Sequence, residues 1–253
     1  MEINDIKVSY TILVHNETTT LKNLLDKINK YKSLWDEVII VDDYSDNPAT
    51  IEILNIAENE MNFKVLQNKL NGDFANQKNF AASHCMNEYI FNIDADEILT
   101  DFFFENYKEI LLLNNGVEMY RLPRLNTVDG ITLKHVEKWN WQISSLPTEV
   151  AEKEIEINSD EYNLLKAYNF ILNENGKLIK YLKPIINWPD YQGRIYKRSD
   201  NIKWVGKVHE RLFGYKKYAN FMLEKNYSII HEKSISRQEK QNEMYNKIIQ
   251  GEV

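Results

Sequence analysis

Tyr89-Ile90-Phe91-Asn92-Ile93-Asp94-Ala95-Asp96-Glu97 is the stretch on which the reading of this chain turns. Its first part is apolar, which predicts a buried strand, and the strand ends in carboxylates. Side chains alternate along a strand, so Asp94 and Asp96 share one face while Ala95 takes the other. Two carboxylates on one face repel each other and favour a cation between them. Hard divalent ions such as Mg²⁺ and Mn²⁺ take oxygen ligands and are often shared with a substrate's phosphates. A solvated acidic turn that closes a strand is the plainer reading of the same residues.

Upstream, strand and helix patterns alternate. Ile6–Val14 is rich in β-branched residues. Thr18–Tyr31 carries Leu21, Leu24, Leu25 and Ile28 at helical spacing. Glu37–Val41 is a short apolar run ending in Asp42-Asp43. A helix over Thr50–Asn59, a strand over Phe63–Gln67 and a helix over Phe74–Met86 complete the series. This order predicts an α/β fold with a mostly parallel central sheet flanked by helices. Right-handed crossovers put the strand C-termini on one edge, where such sheets bind ligands. His15-Asn16-Glu17, Asp42-Asp43-Tyr44-Ser45-Asp46 and Asp94-Ala95-Asp96 all fall at strand ends, which supports a site there.

Beyond a helix over Phe102–Leu113 the pattern changes. Val117–Leu122 and Gly130–Lys134 read as strands, 138–183 as an inserted segment with a helix over Tyr162–Leu172, and Arg194–Arg198 as a returning strand. Ser236-x-x-Glu239 fits a capping box for a terminal helix over Ser234–Ile249. The expected division is 1–115 as the ligand-binding half of a single domain, 116–233 as its second half, and 234–253 as a C-terminal helical extension.

The 253 residues carry a net charge of −7, which argues against a nucleic-acid partner. The one cysteine, Cys85, excludes an internal disulfide and reads as a small buried hydrophobe. Met1-Glu2-Ile3-Asn4-Asp5 is acidic and runs into a strand, so no signal peptide is expected. No stretch approaches the ~20 apolar residues of a transmembrane segment. The expected compartment is the cytoplasm, with peripheral contact to a membrane left open. Neither a Walker loop nor a Gly-x-Gly-x-x-Gly fingerprint is present, which weighs against a P-loop NTPase and a nicotinamide dehydrogenase.

Thr11–Glu17, Val38–Asp46, Gln77-Lys78-Asn79 and Asp94-Ala95-Asp96, in that order, resemble the family-two glycosyltransferases of the GT-A (nucleotide-diphospho-sugar transferase) fold. The match spans about the first hundred residues. The resemblance implies a nucleotide-sugar pocket lined by Val14, Asn16 and Glu17, with Asp42 and Asp43 at the base and ribose. It implies that Asp94, Ala95 and Asp96 serve the ribose and a divalent metal (Mn²⁺ or Mg²⁺), and that a UDP-sugar is the favoured donor. Gly72 permits close backbone approach, and Lys78 stands where many relatives carry arginine. The segments around Trp188–Arg198, Trp204–Glu210 and Ile229–Ser234 look like the branch that includes lipopolysaccharide-core β-glucosyltransferases, a shorter and less specific match.

An inverting transfer needs a carboxylate to take the acceptor's proton and positive charge to stabilise the leaving diphosphate. Glu210 is the expected base, with Asp190 as runner-up. A helix N-terminal acid is the ordinary reading of Glu210. His231 is preferred over His209 as a further metal ligand beside Asp94 and Asp96, which leaves His209 on the acceptor side. Arg194 is expected at the nucleotide sugar. Trp188, Tyr191 and Trp204 are expected to stack on an acceptor glycan or another hydroxyl acceptor, against the ordinary reading of core packing. The terminal helix is expected on the core or on an oligomer partner. Two rival functions stand beside this one: a nucleotidyltransferase of related fold, disfavoured by the glycine-free first loop, and a catalytically inactive carbohydrate-binding protein.

Overall fold

The structure is a computed structural model that describes residues 5–252. Met1–Asn4, read above as leading into the first strand, and Val253, the last residue of the expected terminal segment, lie outside the described residues.

The first half alternates as expected: β1 (Val8–Val14), α1 (Thr19–Tyr31), β2 (Glu37–Asp42), α2 (Pro48–Asn59), β3 (Lys64–Gln67), α3 (Phe74–Ser83), β4 (Tyr89–Asp94) and α4 (Asp101–Leu113). β1 pairs in parallel with β2 and β4, and β2 with β3. Strands covered on both faces have no solvent side, which is why β1, β2 and β4 read as continuous apolar runs. Helix starts follow local chemistry. The Asn47, Asp73 and Thr100 side chains accept from the backbone amides of Ala49, Asn76 and Phe103, and Pro48 opens α2 where no amide partner is needed. α1 buries the predicted stripe of Leu21, Leu24, Leu25 and Ile28. Full burial of each such side chain stabilises the fold by ~1.5–3 kcal/mol.

The second half contributes β5 (Met119–Asp129), α5 (Leu133–Trp139), β6 (Ile143–Ser144), β7 (Val150–Glu154), α6 (Asp160–Ala167), β8 (Ile171–Asn175), β9 (Leu178–Leu182), β10 (Ile185–Lys197), β11 (Lys203–Val205), β12 (Arg211–Phe213), β13 (Tyr218–Asn220), β14 (Ile229–Ser234) and α7 (Ile235–Gln250). The main sheet runs β13-β5-β10-β4-β1-β2-β3, with β10 antiparallel to β4. β7, β9 and β8 form a separate antiparallel sheet, and β11 and β12 a hairpin.

Three local readings change. Gly130–Lys134 is not a strand: β5 ends at Asp129, Gly130 takes φ +80°, and α5 begins at Leu133. A strand cannot continue through that backbone, and the Thr132 amide donates to His135 Nδ1 at 3.2 Å to start the helix instead. The helix expected over Tyr162–Leu172 spans Asp160–Ala167, because Asn169 takes a left-handed φ of 56° and turns the chain into β8. The terminal helix is capped two residues earlier than Ser236. The Ser234 hydroxyl accepts from the Arg237 amide at 3.3 Å.

The chain forms two compact units. The first is Met1–Pro123, Tyr191–Ile229 and Tyr245–Val253; the second is Arg124–Asp190 and Ile230–Met244. The inserted segment expected over 138–183 lies within the second. Each unit has its own apolar core, the first centred on Tyr10, Phe91, Phe103 and Tyr107 and the second on Leu164, Leu165 and Ile179. Among the described residues no helix is long and apolar enough to cross a membrane.

Candidate functional site

The strand-end loops of the first unit are knitted by their polar side chains. Asn16 takes a left-handed φ of 57°; its Oδ1 accepts from the Asp46 and Asn47 amides and its Nδ2 donates to Asp46 Oδ1 at 2.8 Å. Asp42 is buried and accepts from the Ser45 amide at 3.1 Å. Asp43 Oδ1 accepts from the Leu70 amide at 2.9 Å. The Val14 carbonyl accepts from the Asp43 amide, and the Glu17 carbonyl from the Thr50 hydroxyl. These contacts hold the loops after β1 and β2 as one surface. Tyr44 sits on it with φ 50° and 55% exposure. Gly72, with φ +66°, turns the chain into α3.

β4 stops at Asp94, so Asp96 lies in the turn that follows rather than on the strand. The turn is closed by the Glu97 amide donating to the Asp94 carbonyl and the Asp94 amide donating to Glu97 Oε2, both at 3.0 Å. The expected alternation survives the change. Ala95 is buried, and Asp94 and Asp96 are partly exposed.

Two buried cations hold Asp94. Lys78 Nζ lies 3.3 Å from its Oδ1, and Arg194 Nη2 2.7 Å from its Oδ2. Arg194 is 2% exposed, and its guanidinium also bonds Glu97 Oε1 and Asn92 Oδ1. Its Nε has no hydrogen-bond partner among the described residues. Burial lowers the Arg194 pKa, but Asp94, Glu97 and Glu210 raise it by more, so the guanidinium stays charged. Lys78 reaches on to Glu210, whose Oε1 is 2.6 Å from Nζ.

Glu210 sits on the loop between β11 and β12, not at a helix N-terminus. The hairpin is tied to α3 through Asn79. Its Nδ2 donates to the Trp204 carbonyl at 2.9 Å and its Oδ1 accepts from the Trp204 amide at 3.0 Å. The Phe74 amide donates to the Lys207 carbonyl at 2.9 Å. Trp204 is buried: Lys78 Nζ lies 4.5 Å from its ring centre, and its indole N–H donates to the Tyr196 hydroxyl. His209 is exposed, edge-on to Tyr245, and the half-buried Tyr191 donates its hydroxyl to the Phe221 carbonyl.

Lys78, Asp94, Arg194 and Glu210 are thus brought together as expected residues. Glu97, Asn92 and Asn79 join them without having been singled out from sequence. Glu97 stands next to the Asp-x-Asp turn, but nothing in the sequence says that this acid is fully buried. Two cations, Lys78 and Arg194, face three carboxylates, Asp94, Glu97 and Glu210, before Asp96 is counted.

The remaining expected residues belong to the second unit. Asp190 Oδ2 accepts from Arg124 Nε at 2.9 Å, Arg124 Nη2 at 2.7 Å and Asn126 Nδ2 at 2.8 Å. Asn126 Oδ1 accepts from His231 Nδ1 at 2.8 Å. With Nδ1 donating, the neutral imidazole carries its lone pair on Nε2. Trp188 is half-buried.

The donor set at the β4 turn fits a hard divalent cation: carboxylate oxygens, a surplus of negative charge and partial exposure. Among the described residues no three His, Cys, Asp or Glu groups are gathered as a ready cage. Two carboxylates suit an ion that draws its other ligands from phosphate and water.

Comparisons with known proteins agree with this architecture. An uncharacterized glycosyltransferase of Rickettsia conorii is 38% identical over 94 residues, 37% of this chain and 30% of that protein. Its counterpart from Rickettsia typhi is 37% identical over 94 residues, 37% of this chain and 29% of that protein. The chain therefore spans about a third of the length of these curated relatives. S. aureus TarS, residues 1–349, superposes with a TM-score of 0.54 at 16% identity, over 96% of this chain and 64% of that one. That likeness shows the fold, which is GT-A. Residues 9–137, half of the chain, match Glycosyl transferase family 2. The chain belongs to that family.

Proposed function

We propose that this protein transfers a sugar from a nucleoside-diphosphate sugar to a hydroxyl acceptor, with inversion and with a divalent cation. The observation that carries the reading is the charged cluster of Asp94, Lys78, Arg194 and Glu210 at the end of β4, in a chain of family 2. Asp94 and Asp96 would hold the cation. When bound, the cation neutralises charge on the leaving diphosphate. Uridine is the favoured base, and one TarS structure contains UDP-GlcNAc. Asn16, Asp42 and Asp43 keep the nucleotide surface in shape, and Tyr44 offers it an exposed ring.

Glu210 is the base we assign. The acceptor oxygen attacks the anomeric carbon, the bond from that carbon to the diphosphate oxygen breaks, and the hydroxyl proton goes to Glu210. Lys78 occupies Glu210 Oε1 at 2.6 Å, so it must turn away before a proton can arrive. The donor's diphosphate supplies the competing negative charge. Asp190 is the weaker candidate, because its Oδ2 already accepts three hydrogen bonds. Arg194 orients Asp94 and Glu97 from beneath, and Trp204 supports Lys78. Tyr191 and His209 remain the acceptor-side proposals within the first unit.

The test is to incubate the protein with UDP- and GDP-sugars and Mn²⁺, then identify the products. Cation-dependent release of nucleoside diphosphate with transfer to an acceptor supports the reading. Release of pyrophosphate from a nucleoside triphosphate and a sugar phosphate would move the protein to the nucleotidyltransferases. No turnover with any donor would favour an inactive binding protein.

A further inference from the structure

The second unit contains a recess of about 190 Å³ that the proposed transfer does not use. Every residue lining it belongs to that unit. It is smaller than the ~300–1,000 Å³ of pockets for drug-sized ligands, so it has room for one small ring and not for a nucleotide.

Its chemistry is two-sided. Val128, Ile131, Leu164, Leu165 and Pro184 give it apolar walls. Asp129, Glu161, Lys183, Glu232 and Lys233 give it a charged rim, and most of these charges are already paired. Lys183 Nζ is 2.9 Å from Glu232 Oε1. Lys153 Nζ lies 2.8 Å from Asp129 Oδ1 and 3.2 Å from Glu161 Oε1. Lys233 Nζ donates to Gln241 Oε1 at 2.6 Å. Three lysines thus stand against three carboxylates. Tyr181 also lines the recess, is 8% exposed, and its hydroxyl has no hydrogen-bond partner among the described residues. That hydroxyl stays open to water, so a ligand oxygen would take the place of a water on it.

These features select among ligand classes. A charged ligand would find Lys183, Glu232, Asp129 and Glu161 already in ion pairs, and an anion would have to draw Lys233 away from Gln241. A hydrocarbon would leave the Tyr181 hydroxyl and the rim carboxylates facing an apolar surface. A sugar ring satisfies both sides, with C–H faces for the walls and hydroxyls that donate to carboxylates and accept from lysine and tyrosine. We propose that this recess binds one neutral pyranose. The claim is independent of whether the chain catalyses transfer.

The experiment is a titration of the full chain with neutral methyl pyranosides, followed by saturation-transfer NMR and calorimetry. Glucuronate and glucose 6-phosphate serve as charged controls. Tyr181→Phe removes only an unpaired hydroxyl and should keep the wild-type melting temperature. Thr127→Trp blocks the recess from a half-buried position. At least one neutral pyranoside should bind in preference to both charged sugars. Its affinity should fall ~10-fold in Tyr181→Phe, the value of about one hydrogen bond. Binding should disappear in Thr127→Trp and persist in Glu210→Gln. Absence of binding by every neutral pyranoside, stronger binding of the charged sugars, or undiminished binding in both recess variants would overturn the proposal. UDP and Mn²⁺ binding, measured on the same samples, tests the transfer reading separately.

Discussion

Lys78 Nζ stands 2.6 Å from Glu210 Oε1, and the same ammonium lies 3.3 Å from Asp94 Oδ1. One buried cation therefore links the carboxylate at the end of β4 to the carboxylate of the β11–β12 hairpin. Lys78 is 3% exposed and Glu210 15%, so water screens this link poorly. The pairing ties the proposed base to the donor side of the site, and donor binding is the event that would release it.

Glu210→Gln keeps the shape of the side chain and removes its basicity. Turnover should fall ~10²–10⁴-fold, the usual contribution of a general base. UDP affinity in Mn²⁺ should stay close to wild type, because Glu210 acts on the acceptor. Wild-type turnover in steady-state assays would reject Glu210 as the base.

Lys78→Met leaves Glu210 and Asp94 without their shared cation. Removing one partner of a buried pair costs ~3–5 kcal/mol, so the urea midpoint should fall clearly. Adding Glu210→Gln to this variant should recover part of the loss, because one stranded charge is then gone. Strict additivity of the two changes would show that the residues do not interact.

Arg194 acts through Asp94 and Glu97, so its substitution should read out as cation affinity. Arg194→Lys should weaken Mn²⁺ binding ~10–100-fold, the range for groups that orient metal ligands. Nucleotide binding without metal should change little. The reverse pattern would mean that Arg194 contacts phosphate directly.

Chelation should abolish transfer, and Mn²⁺ should restore it in the wild type. In Asp96→Asn the restoring Mn²⁺ concentration should rise at least ~10-fold, by the same reasoning about ligand groups. Full activity in a chelator would remove the cation from the proposal.

Burial, with Glu37 adding to it, pushes the Cys85 thiol up from its ordinary value to about 12. The folded chain thus holds this proton more tightly than the unfolded one. Its contribution to stability is complete below pH ~9 and is lost as pH rises towards ~12. Cys85→Ala should flatten the decline of the urea midpoint over that alkaline window. Rapid alkylation of the native thiol near pH 8 would contradict the burial.

The sequence carried the first half of the fold far. β1, β2, β4, α1 and α4 fall within two residues of their expected bounds, because a fully buried parallel strand and a one-sided helix leave unmistakable apolar periods. The second half was less legible. Gly130 and Asn169 end elements by adopting positive φ, a choice that apolar periodicity does not record. Trp204 illustrates the same limit at the site. A tryptophan near a charged segment reads equally as a sugar platform or as core, and burial under Lys78 decides it.

By itself the sequence determined the alternation of strands and helices, the family, and the edge of the sheet where polar residues gather. These depend on local pattern and chain order, which the primary structure holds in full. Only the tertiary structure decided which charges meet. Lys78, Asp94, Arg194 and Glu210 are separated by up to 132 residues in the chain, counted from Lys78 to Glu210. Their pairing follows from α3, β4, β10 and the β11–β12 hairpin packing in one unit, and from the burial that makes an unpaired charge too costly to leave.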